Sequence, residues 1–117
     1  GNGGSVGRGV RRRRQRSDRP QPLTVAGVAE TIRRCLTIGS VVPTGHFHDR
    51  RFLRKYTIQD ALNVLGHGQV SSDAPEWNAR VRRWAYRVHG PDLEGDVLTV
   101  VVGLGGERDH IWLVTAF

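Results

Sequence analysis

His46, Arg50 and Arg54 stand four residues apart in the stretch HFHDRRFLRKYTIQDALNVLG, and that spacing places all three side chains on one face if the segment is helical. An imidazole beside two permanent cations suits chemistry on a phosphodiester. Histidine's ordinary pKa of about 6.5 lets it serve as base or acid near neutral pH, and the arginine fork matches phosphate oxygens while staying charged. Cleaving RNA without a metal requires a group that takes the 2′-hydroxyl proton, cations that offset charge building on phosphate, and a donor for the leaving oxygen. His46 is the candidate base or acid, Arg50 the candidate catalytic cation, and Arg54 and Arg51 candidate substrate contacts. The same residues also read as a solvated helix face, with Arg50 pairing with Asp49 and with Arg51 and Arg54 keeping the helix soluble.

A metal reading is weaker. His46 and His48 form an H-x-H pair, but on a helix such side chains diverge by about 200°, and only on a strand would they converge. No third ligand stands nearby, so neither a metal nor another cofactor is expected. The single cysteine, Cys35, excludes an internal disulfide framework and a multi-cysteine zinc knuckle, leaving helix packing as its expected role. GLGGERD lies between two predicted strands with no helix after it, which marks a hairpin turn and not a phosphate cradle. His67, His89 and His110 read as solvated residues of turns or strand ends.

The elements that must position these residues follow from hydrophobic periodicity. Thr24 is a candidate N-cap, and Val25, Val28, Ala29, Ile32, Cys35 and Leu36 recur at helical spacing until Gly39. SVVPTG reads as a break. Thr44 caps a second helix whose expected apolar anchors are Phe47, Phe52 and Leu53, with the basic ladder on the opposite face. Thr57, with Asp60 three residues on, caps a third helix that turns Ile58, Ala61, Leu62 and Leu65 inward until Gly66. Trp84, Tyr86 and Val88 alternate with Arg83, Ala85 and Arg87, which predicts a strand from near Val81, although Trp77, Val81, Trp84 and Val88 also fit a helical stripe. PDLEGD is a turn, VLTVVVGL a strongly β-branched strand, GGERD a second turn, and HIWLVTA a final strand. Two to three N-terminal helices on one face of a small antiparallel sheet of at least three strands define an α+β fold.

Charge separates the chain into two parts. Of the net +7, residues 8–19 hold +6, from seven arginines against Asp18, and the rest of the chain holds only +1. Residues 1–19 contain no aromatic residue and too little apolar surface to offset the entropy of ordering, so a disordered basic tail is expected there, able to contact nucleic acid through its phosphates. Residues 20–117 form a single domain, long enough for one core. No run approaches the roughly eighteen apolar residues of a membrane span. The chain lacks methionine and begins GNGG, which suggests a processed product or the end of a longer polypeptide.

The order His46, Arg50, Arg54, a hydroxyl cap at Thr57 and a short helix, then three strands ending in Val114, Thr115, Ala116 and Phe117, resembles the bacterial domain of unknown function 4258 family over roughly residues 45–117. Lys55 stands where that family more often has glycine, and Tyr56 where an aliphatic residue is common. The family looks related to RelE, ParE and BrnT toxins, and the resemblance implies a RelE-like or barnase-like fold, RNA as substrate, and a neutralising antitoxin or immunity protein as partner. For chemistry of this kind Thr115, on the last strand, is a candidate hydroxyl donor, and Arg87 and Tyr86, on a strand expected beside it, are candidate substrate contacts that face opposite sides, so at most one of the two is expected to reach the site directly. A ribonuclease toxin acting in the bacterial cytoplasm, and delivered as the C-terminal effector module of a secreted protein, is the first expectation. A noncatalytic module that binds nucleic acid or an acidic protein through the arm and the helix face is the alternative.

Overall fold

Three threonines start three helices by the same device. Thr24, Thr44 and Thr57 hold extended backbone angles, and their hydroxyls accept from the N–H groups of Gly27, Phe47 and Asp60, satisfying amides that a first helical turn leaves unpaired. The helices are α1 (Val25–Ile38), α2 (Gly45–Arg54) and α3 (Ile58–His67), in the three places that periodicity predicts. At the far end of α1, Gly39 takes a left-handed φ of 78° and its N–H donates to the Cys35 carbonyl. Cys35 itself is fully buried with Val28 and Ile32, so it packs the helix as expected. The computed structural model describes residues 19–104 and 110–117. Of the tail expected to be disordered over residues 1–19, residues 1–18 lie outside the described residues, as does the expected turn at residues 105–109; Arg19 is described, with its guanidinium 5.6 and 5.5 Å from the Trp77 and Trp84 ring centroids.

The helices pack on one face of a six-stranded, mixed but mostly antiparallel sheet. Its strands are β1 (Val41–Pro43), β2 (Gln69–Val70), β3 (Glu76–Asn78), β4 (Arg83–Pro91), β5 (Val97–Leu104) and β6 (Ile111–Ala116). Their order is β1-β6-β5-β4-β2, with β3 also paired to β4. Two expectations need correction. SVVPTG is not simply a break, because Val41–Pro43 pair in parallel with Ile111–Leu113; Pro43, lacking an N–H, is tolerated because β1 is the edge strand. Phe52 and Leu53 are not anchors of α2, being 75% and 72% exposed, whereas Phe47 is fully buried.

Alternation along the central strands sorts side chains between the two faces. Val88, Val100, Val102, Ile111 and Leu113 are at most 1% exposed and meet the helices, as does Tyr86, whose hydroxyl accepts from the Leu23 N–H at 2.9 Å. Nearby, the Trp84 indole N–H donates to the Pro20 carbonyl at 2.7 Å, which fixes the approach to α1 across β4. At the end of α3, close packing requires glycine. A Cβ on Gly68 would meet the His89 carbonyl and stand 2.6 Å from the Val64 carbonyl, and one on Gly90 would stand 2.6 Å from the Gly68 Cα. Gly66, two residues earlier, has open space.

Two measurements test this packing. Gly66→Ala should stabilise the protein by about 0.5–1 kcal/mol through helix propensity, while Gly90→Ala should destabilise it by about 1–3 kcal/mol through overpacking; urea unfolding of each variant reads the difference. The second concerns Asp60, whose carboxylate accepts from the N–H groups of Leu93 and Thr57 and from the Thr57 hydroxyl. Partial burial raises its pKa, but the three hydrogen bonds together outweigh that and hold it below the ordinary 3.8. A folded-state pKa below the unfolded one gives stability that is present above the unfolded value and lost as pH falls through the folded one. The unfolding midpoint should therefore drop on acidification below about pH 4, and Asp60→Asn should shrink that drop.

Candidate functional site

The sheet face away from the helices carries the polar side chains, and strand register arranges them in rows. Glu76, Ala85, Gly103 and Trp112 lie across β3, β4, β5 and β6; Arg87, Val101 and Thr115 form the next row; His89 and Thr99 form the third, with the Phe117 backbone exchanging both hydrogen bonds with Thr99. The segment 71–79 folds over part of this face. Between that segment and Arg87, Val101, Thr115 and Phe117 lies a cavity of about 470 Å³.

Each side chain here has an identifiable support. The Arg87 guanidinium lies 3.7 Å from the Glu76 carboxylate, on the diagonal between neighbouring strands, while remaining about half exposed. Its charge also faces the Phe117 ring at 5.8 Å. Nδ1 of His89 is 2.7 Å from the Thr99 hydroxyl, a contact in which either partner can donate, depending on the imidazole tautomer. Two residues apart on one strand, His89 and Arg87 are separated by about 7 Å along it. That span accommodates a phosphodiester with its 2′-hydroxyl.

Thr115 reaches this face because β6 carries a bulge. Val101 pairs with Thr115 but Val102 pairs with Leu113, leaving Val114 as the extra residue. Regular alternation would have put Thr115 on the same side as Ile111 and Leu113; one inserted residue reverses every position after it. Ala116 is buried in its place. The Thr44 hydroxyl donates to the Val114 carbonyl at 3.3 Å while accepting from the Phe47 N–H at 3.2 Å, so one side chain both caps α2 and holds the bulge.

The sequence-derived candidates divide between two surfaces. Arg87, Tyr86 and Thr115 border the cavity, although Tyr86 is buried and its hydroxyl is engaged by Leu23. Burial pushes the Tyr86 phenol above its ordinary pKa of 10.0, against the opposing effect of the Leu23 N–H, so it remains protonated at neutral pH. His46, Arg50, Arg51 and Arg54 all lie on α2, with His46 and Arg54 exposed and the other two half-buried; none of the four lines the cavity. Arg51 Nε approaches His48 Nδ1 at 3.4 Å, too long for a strong hydrogen bond. His89, which the sequence reads as a strand-end residue in solvent, joins the open face. The signal for it was its position two residues from Arg87 on a predicted strand.

The family's sequence profile matches residues 44–117, from the α2 cap through the last strand, well over half of the chain. The chain belongs to the domain of unknown function 4258 family. No curated protein and no solved structure matches it. The family's span includes Thr44, α2, the bulge and every row of the open face, and leaves α1 outside. Among the described residues no helix is long and apolar enough to cross a membrane, and no group of three His, Cys, Asp or Glu side chains is placed to hold a metal ion.

Residues 55 and 56 both carry a local cost. Lys55 closes α2 with a left-handed φ of 59°, a conformation that suits glycine and strains other residues. Tyr56 is buried against Phe47, with ring centroids 5.3 Å apart, and its hydroxyl has no hydrogen-bond partner among the described residues. Lys55→Gly and Tyr56→Phe should each raise stability by about 1 kcal/mol, seen as higher denaturation midpoints.

Proposed function

We propose that this domain is a ribonuclease whose acid–base chemistry takes place on the helix-free sheet face, with His89, Arg87 and Thr115 as its principal groups. The observation that carries this reading is their convergence: register places all three on one face, Thr99 holds the imidazole at 2.7 Å, Glu76 steadies the guanidinium, and a cavity adjoins Arg87 and Thr115. Nε2 of His89, with Nδ1 donating to Thr99, takes the proton from a 2′-hydroxyl. The 2′-oxygen then attacks phosphorus, the bond to the 5′-oxygen breaks, and a proton from solvent neutralises that oxygen, leaving a 2′,3′-cyclic phosphate. Arg87 offsets the charge that builds on the phosphate oxygens, and the Thr115 hydroxyl donates to one of them. No step requires a metal ion.

The likeness of the family to RelE, ParE and BrnT toxins supports RNA as substrate and a toxin role, with a dedicated antitoxin or immunity protein as neutralising partner and the bacterial cytoplasm as the place of action. It also fits delivery as the effector end of a longer secreted protein. The α2 ladder stands on the helix side of the sheet, away from this chemistry, where Arg50, Arg51 and Arg54 can supply only sequence-independent phosphate contacts, and His46 stands on the first turn of the helix tied to the bulge.

Incubating the protein with unstructured RNA in EDTA tests both surfaces together. Cleavage should fall by at least a hundredfold in His89→Ala and Arg87→Ala, by about tenfold in Thr115→Val, and by only a few-fold in His46→Ala. Loss in His46→Ala and Arg50→Ala with His89→Ala unaffected would move the chemistry to the helix. Salt-sensitive RNA binding with no cleavage in any variant would leave the noncatalytic module as the correct reading.

A further inference from the structure

The open face holds a second feature that the cleavage chemistry does not use. The Arg83 guanidinium lies over the Trp112 ring at 4.0 Å from its centroid, close to stacking contact and the shortest cation–aromatic approach among those recorded for the described residues. Gly103 lies beneath the arrangement. A Cβ there would touch Arg83 Cδ, Trp112 Cβ and Val114 Cγ2, each at 3.5 Å, so the three side chains converge over a strip of bare backbone. Ala85, Gly103's partner on β4, adds only a methyl group. The result is a close cation–aromatic pair on a part of the sheet that no helix covers.

We propose that the Arg83–Trp112 stack is a subsite for one unpaired base of a single-stranded RNA whose backbone continues across Thr115 and Arg87. This rests on the ribonuclease reading of the same face and adds the class of substrate. Every base has a π-face that stacks on an indole or guanidinium plane, so such a platform tolerates sequence but requires the base to be splayed out. Duplex RNA keeps its bases paired and presents only phosphates and sugars to a sheet surface. Trp112 and Thr115 stand in adjacent rows, opposite Gly103 and Val101, and so lie about 7 Å apart along the sheet, a gap that a short stretch of single strand bridges. The guanidinium contributes twice, capping the base and presenting its outer N–H groups to a phosphate. Arg87 over Phe117 repeats the pairing of cation and ring at the far end of the strand, so the path between them is flanked by a cation on each side.

The test measures binding separately from cleavage. Fluorescein-labelled 2′-O-methyl RNA of twelve nucleotides, which cannot be cut, is titrated into the full chain as a single strand and as the matching duplex, with anisotropy as readout. Single strand should bind at least tenfold more tightly than duplex, and Trp112→Ala and Arg83→Ala should each weaken single-strand binding about tenfold, while Arg33→Ala, which removes a cation on α1, should change it less than twofold. Trp112→Phe, which keeps an aromatic ring and the fold, should retain most of the affinity, so misfolding of the alanine variant cannot mimic the effect. Equal affinity for duplex, or Trp112→Ala and Trp112→Phe both matching Arg33→Ala, would overturn the subsite. Preferred single-strand binding without cleavage of ordinary RNA would remove the ribonuclease reading and leave the subsite standing; cleavage and binding both indifferent to Trp112 and Arg83 would do the reverse.

Discussion

One extra residue in β6 determines which groups share the open face. Were Val114 not bulged out, Thr115 would sit in the helix-facing layer with Ile111 and Leu113, and Ala116 would face out. A hydroxyl in the core would need a partner, and an alanine outside would bring no chemistry. The bulge is held by Thr44, whose hydroxyl is shared between the Val114 carbonyl and the first turn of α2. Helix start and sheet irregularity are therefore one structural unit. The candidate site depends on it because the row Arg87, Val101 and Thr115 exists only on this side of the register shift.

That dependence explains the division between what the sequence showed and what it did not. The three helices were legible because each begins at a threonine followed by apolar residues at helical spacing, and β5 because VLTVVVGL admits little else. The bulge was not legible, since a one-residue shift leaves composition and approximate alternation unchanged. β1 was hidden by Pro43, which argues against a strand until an edge position removes the objection. Phe52 and Leu53 misled because periodicity reports which residues could face inward, not whether a partner stands opposite; α2 is covered at Phe47 and open at its last turn.

The candidate site was half legible for a related reason. A four-residue spacing is conspicuous in a helix, so the His46 ladder stood out, whereas residues that meet across a sheet are far apart in sequence. Thr99 and His89 are ten residues apart and touch at 2.7 Å; Glu76 and Arg87 are eleven apart and form an ion pair. Strand pairing alone brings them together. Arg87 and Thr115 entered as residues of two predicted strands, and the structure gave them a common row.

Net charge pointed to nucleic acid for a reason unrelated to this site. Most of it belongs to the arginines of residues 8–19, whereas the open face sets Arg83, Arg87 and one imidazole against Glu76. That local balance suits a surface that must hold a phosphate and still let it react. A dense cationic surface would bind substrate and transition state with nearly equal strength, which tightens binding without lowering the barrier. In the proposed reaction Arg87 is restrained instead by a carboxylate, and that contact must lengthen or be shared when a phosphate arrives. Part of its attraction is thereby withheld from weakly placed anions and given to one that sits between Arg87 and Thr115. Selectivity in the proposed reaction would come from a few fixed directions, and those directions are set by the register of four strands.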